Sequence, residues 1–166
     1  MTAELASRDS GRPSVLLVGQ NASTRAGVRL ALESSIDCYD ARTPAEAAMI
    51  AAVAFPSVCF VTAEPNHEMR IVSELAAAVP YAQIVVLTQR VRVDELIAAV
   101  RAGAVGYLSE DVDPGRLPFV VRGVMRGEAA IPRALVSRLV DELRERRKRR
   151  VLLLESRRSV DLTTRE

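Results

Sequence analysis

Short, almost unbroken apolar runs separated by amphipathic stretches are the feature of this chain that most restricts its fold. The runs are 15–18 (Val-Leu-Leu-Val), a weaker one at 36–40, 58–61 (Val-Cys-Phe-Val), 84–87 (Ile-Val-Val-Leu) and 105–108 (Val-Gly-Tyr-Leu). Runs this short and this apolar fit strands covered by helices on both faces. Their alternation with helical patterns between Ser14 and Gly127 predicts βαβ units and a parallel sheet. The 36–40 strand is the weakest of the five in pattern.

Helix boundaries are readable between the strands. Thr43-Pro44-Ala45-Glu46 is a capping box: Thr43 accepts from the backbone of Glu46, Pro44 suits the first turn, and Glu46 reaches back. It predicts a helix through Ala54. Asp94-Glu95 opens the pattern Leu96, Ile97, Val100, with Gly103 as a left-handed stop. Asp113-Pro114 opens another helix carrying Leu117, Val120, Val121 and Val124 on one stripe, ended by Gly127; Pro118 in its first turns postpones the start. From Pro132 a longer helix presents Leu135, Val136, Leu139, Val140 and Leu143 at helical spacing.

After that stripe the composition changes. Residues 144–150 hold six basic side chains and one Glu, followed by Val151-Leu152-Leu153-Leu154 and the pair Arg157-Arg158. A solvated linker face is the simpler reading of such a run, and phosphate contact is the other. Thr163-Thr164-Arg165-Glu166 is again Thr-x-x-Glu, the cap of a helix that does not follow within the sequence. The chain is therefore expected to stop at the threshold of a further domain.

Several function classes are disfavoured. The formal net charge of +2 is too small to imply nucleic-acid binding by the whole chain, and with no Trp and 4% aromatic residues there is little material for base stacking. No run approaches the roughly 18 apolar residues of a membrane span, and residues 1–13 lack an apolar secretory core, so no membrane association and a cytoplasmic setting are expected. Cys38 and Cys59 fall on different strands without metal-ligand spacing and read as small hydrophobes. The single histidine, His67, reads as a loop residue. Without an acid pair at a strand end, a phosphate-cradling glycine loop or a nucleophile beside a base, an enzyme is not expected, and neither is a cofactor or a metal.

The βα series, the Leu87-Thr88 pair, the run Arg101-Ala102-Gly103-Ala104-Val105-Gly106-Tyr107-Leu108 and the tail Leu162-Thr163-Thr164-Arg165-Glu166 together resemble response regulators of the NarL/FixJ class. The resemblance implies a receiver-like, flavodoxin-like α/β fold: a doubly wound five-stranded parallel sheet of order 2-1-3-4-5, plus a C-terminal helix. It also implies an organisation. Residues 1–13 are a tail, 14–130 the receiver-like domain, 131–161 the C-terminal helix and basic linker, and 162–166 the first residues of a LuxR-type helix-turn-helix domain.

In such regulators a carboxylate pair after strand one and a third carboxylate ending strand three hold magnesium and accept phosphate from a histidine kinase. Here the strand-one positions read Val18-Gly19-Gln20-Asn21, so neither acid is present. Thr62 stands at the phosphoacceptor position and Glu110 at that of a phosphate-binding lysine, reversing its charge. Glu64 is too isolated an acid to rescue the site. Thr88 and Tyr107 match the switch hydroxyl and switch aromatic, although a structural role, Thr88 bonding backbone and Tyr107 as a half-buried ring, accounts for them equally well. The resemblance with these departures implies a phosphorylation-independent control domain of a DNA-binding regulator, working by protein contacts and as a homodimer. The alternative is a small-ligand sensor in which Gly19, Gln20, Thr62 and Thr88 line a neutral pocket at the carboxyl ends of the strands.

Overall fold

In the computed structural model the described residues are 12–62 and 68–163. They form two units, one ending at Ile131 and the other beginning at Pro132. The first carries β1 (Ser14–Val18), α1 (Ala22–Leu32), β2 (Asp37–Ala41), α2 (Pro44–Ala54), β3 (Val58–Thr62), α3 (Glu68–Ala78), β4 (Gln83–Thr88), α4 (Val93–Ala102), β5 (Ala104–Ser109) and α5 (Leu117–Met125). The sheet is five-stranded, with order β2-β1-β3-β4-β5. All four strand pairings are parallel. The expected fold is therefore the observed one.

Alternation along each strand sends successive side chains to opposite faces. On one face Val15, Leu17, Val58, Phe60, Val85, Leu87 and Leu108 pack with Val28 and Leu32 of α1 and Leu117, Val121 and Val124 of α5. Leu16, Cys59, Val61, Ile84 and Val86 point the other way and are fully or almost fully buried. That second face is the one left to α2, α3 and α4, since α2 neighbours α3 and α3 neighbours α4, whereas α1 neighbours α5. Each such side chain contributes about 1.5–3 kcal/mol on removal from water, so the strand cores dominate the unit's stability. β2 pairs with β1 alone and is mostly half-buried, which explains its weak sequence pattern.

The caps act as their residue types dictate. Thr43 Oγ1 accepts from the Glu46 backbone at 3.2 Å, while Glu46 Oε2 accepts from the N–H of Arg42 at 2.8 Å, one residue earlier than a strict capping box. Gly103 ends α4 in the left-handed region at φ 114°. Asp113 caps a 3₁₀ turn at Pro114–Arg116, and α5 starts only at Leu117, the postponement expected from Pro118.

The second unit is one helix, α6 (Arg133–Thr163), which continues through the basic run that the composition read as a linker. Arg, Lys and Glu are good helix formers, so propensity carries the helix where the apolar stripe ends. Among the described residues no helix is long and apolar enough to cross a membrane. Glu64 and His67 lie outside the described residues, as do residues 1–11 and 164–166 of the two termini.

Candidate functional site

Parallel strands with short βα connections bring the residues at their carboxyl ends to one edge of the sheet. Thr62 closes β3, Thr88 closes β4, and Thr62 pairs in register with Leu87. Gly19 follows β1 directly, at φ 145°, and its N–H donates to the Ala41 carbonyl at 3.0 Å. That conformation suits a residue without a side chain. Space demands the same thing: a Cβ on Gly19 would stand 2.9 Å from the Thr62 carbonyl carbon and closer still to both Thr62 oxygens. Gly19 and Thr62 are thus packed against each other. Thr62 is 3% exposed, and its hydroxyl donates to the Val18 carbonyl at 3.4 Å. Gln20, by contrast, is exposed at the rim.

Asn21 begins α1 and caps it, its side-chain oxygen accepting from Ser23 and Thr24 at 3.1 and 3.2 Å. Arg25, one turn into α1, donates from Nη1 to the Gly19 carbonyl and places Nε 3.6 Å from Asp40 Oδ1. Arg29 completes this cluster, donating to Asp40 Oδ2 and, at 2.9 Å, to the Cys38 carbonyl. The 25/29 spacing puts both guanidiniums on one helix face. Their carboxylate partner, Asp40, comes from β2, so no local pattern signals the grouping.

Thr88, Tyr107 and Glu110 form a second group. The Thr88 hydroxyl donates to the Arg90 carbonyl at 3.3 Å, and the Tyr107 hydroxyl lies 3.4 Å from the same oxygen. Its shorter bond, 2.7 Å, is donated to Glu95 Oε2 on α4. The Tyr107 ring is fully buried, not half-buried as expected. The Glu110 N–H donates to the Thr88 carbonyl at 2.8 Å. Burial pushes the Glu110 carboxyl above its ordinary value, the Thr24 hydroxyl opposes this, and Asp111 adds to it.

Sequence reasoning missed Glu95, seen only as a helix-opening acid, and Arg25 and Asp40 altogether. Among the described residues no three His, Cys, Asp or Glu side chains converge as metal ligands do. Both cysteines are free.

No family model matches the chain. A curated relative, the uncharacterized transcriptional regulatory protein YxjL of Bacillus subtilis (strain 168), is 33% identical over 69 residues, covering 42% of this chain and 32% of that protein. The chain thus spans about a third of the curated relative it matches. Among solved structures, a two-component response regulator of the LuxR family from Aurantimonas sp. SI85-9A1 superposes with a TM-score of 0.69 at 19% identity, over 79% of this chain and 97% of that one. A response regulator receiver domain (CheY-like) from Methanospirillum hungatei JF-1 superposes with a TM-score of 0.61 at 16% identity, over 70% of this chain and 95% of that one. With the strand order and the elements described above, these likenesses establish that the chain has the receiver fold of response regulators.

Proposed function

We propose that the chain is the regulatory part of a DNA-binding transcription regulator, a pseudo-receiver that works without phosphorylation, through protein contacts and as a dimer. The observation that carries the reading is the packing of Gly19 on Thr62. Where phosphotransfer calls for anionic oxygens around a hard cation, this edge of the sheet offers a glycine with no room for a side chain and a hydroxyl already bonded to backbone. Glu110, in place of a cation, adds a negative charge that repels a phosphoryl group. The unit is not itself an enzyme in this reading, and its setting is the cytoplasm.

DNA is met through the LuxR-type helix-turn-helix domain whose opening residues 162–166 resemble, with 14–130 as the receiver-like body and 131–161 as the connecting helix. The name of the Bacillus subtilis relative supports a transcriptional role. The alternative, ligand sensing at Gly19, Gln20, Thr62 and Thr88, draws less support, because both threonine hydroxyls already bond backbone carbonyls.

Sedimentation of the chain with and without acetyl phosphate and magnesium tests the proposal. The same self-association in both conditions is expected. Association that appears only with acetyl phosphate, or a monomer at high concentration in both, overturns it.

A further inference from the structure

The basic run is not a loose tether, because α6 passes through it without interruption. Residues 144–150 read Arg-Glu-Arg-Arg-Lys-Arg-Arg. At 1.5 Å rise per residue the six basic residues occupy about 10 Å of helix axis. Of those whose side chains are described, Arg144, Arg147, Lys148, Arg149 and Arg150 are all exposed. Arg144 pairs with Asp141 at 3.6 Å and Lys148 with Glu145 at 3.0 Å. Arg147, Arg149 and Arg150 have no carboxylate partner among the described residues.

The direction of these charges selects the partner. At about 100° per residue Arg149 lies about 160° around the helix from Arg147, while Arg150 is on the Arg147 side. A helix charged on both flanks matches a surface that is negative on both sides of it. The major groove of a duplex, about 12 Å wide between two phosphate backbones with one charge per about 1.7 Å of axis, is such a surface. A bilayer touches one flank only and requires an apolar face opposite the cations, which residues 144–150 lack.

We infer that residues 144–150 of α6 are a sequence-independent docking surface for the phosphates of duplex DNA, led by Arg147, Arg149 and Arg150, the cations without a carboxylate partner among the described residues. The surface belongs to this chain and is additional to any helix-turn-helix contact of a parent protein.

The test is fluorescence anisotropy of a mixed-sequence DNA duplex titrated with this chain and with its Arg147→Gln/Arg149→Gln/Arg150→Gln variant, at several salt concentrations between roughly 50 and 200 mM. Vesicles containing phosphatidylserine form the second arm, and circular dichroism confirms that the variant keeps its helix. Binding that weakens steeply with salt is expected, with the variant at least about tenfold weaker at low salt and its salt slope shallower by about 3. No duplex binding at low salt, equal binding by both chains, or binding to vesicles but not to duplex overturns the inference. None of these outcomes depends on phosphorylation, so this inference and the proposed function fail separately.

Discussion

Gly19 and Thr62 occupy a single packed junction between β1 and β3, so tight that a Cβ on the glycine would overlap both oxygens of the threonine. Gly19→Ala is accordingly expected to destabilise the first unit by about 2 kcal/mol or more, from backbone strain at φ 145° and from overpacking against backbone atoms that cannot swing away. Denaturant unfolding measures it. A change below about 0.5 kcal/mol, the scale of an ordinary surface substitution, would show that the junction is looser than described.

Tyr107 and Glu95 make a second close pairing, 2.7 Å between a buried phenol and a partly exposed carboxylate. Removing the carboxylate with Glu95→Ala is expected to cost about 1–3 kcal/mol, because the buried hydroxyl loses its charged acceptor. Tyr107→Phe is expected to cost less, since water can reach Glu95. The double variant is expected to show a coupling of about 1 kcal/mol, and strict additivity in chemical denaturation would contradict the pairing.

Much of this architecture was legible in the sequence, and the exceptions have physical reasons. β1, β3, β4 and β5 announce themselves because both faces of each are covered. β2, an edge strand, carries Asp37 and Asp40 and shows only a faint pattern. The Thr43 and Gly103 helix boundaries follow from local chemistry alone. α1 buries only Val28 and Leu32 and holds Gly27 inside it, so its periodicity is thin, and its cap Asn21 drew notice only as the place of a missing acid. The departures at Gly19, Thr62 and Glu110 were readable once the resemblance was seen. The links from Arg25 to Asp40 and from Tyr107 to Glu95 were not, because each joins elements whose meeting only the fold decides.

Cys59, fully buried on β3, has its thiol pushed from 9.0 up to about 12 by burial. The neutral thiol is thus favoured in the folded chain. Its contribution to stability is fully present below pH 9.0 and is lost as pH rises toward about 12, because only the unfolded thiol ionises in that window. Cys59→Ala is expected to flatten this alkaline decline. In the native chain at neutral pH a thiol reagent is expected to leave Cys59 untouched until denaturant is added, and rapid labelling of Cys59 in the folded state would contradict its placement.

Glu110 offers a milder pH test. Its raised carboxyl value means that the folded chain favours the protonated form, so this group's contribution is present below the ordinary value of 4.5 and is lost as pH rises. Glu110→Gln is therefore expected to match the parent in acid and to exceed it slightly at neutral pH, by a few tenths of a kcal/mol given its partial exposure to water. A melting temperature lowered at neutral pH by this substitution would mean that the Thr24 hydroxyl bond outweighs the cost of burial.

In the proposed function this sheet edge does not take up a phosphoryl group. Intact-mass measurement of the folded chain after incubation with acetyl phosphate and magnesium tests it most directly. An unchanged mass is expected, with Thr62 unmodified on its bonded hydroxyl. A stoichiometric phosphate adduct retained on the folded first unit would contradict it.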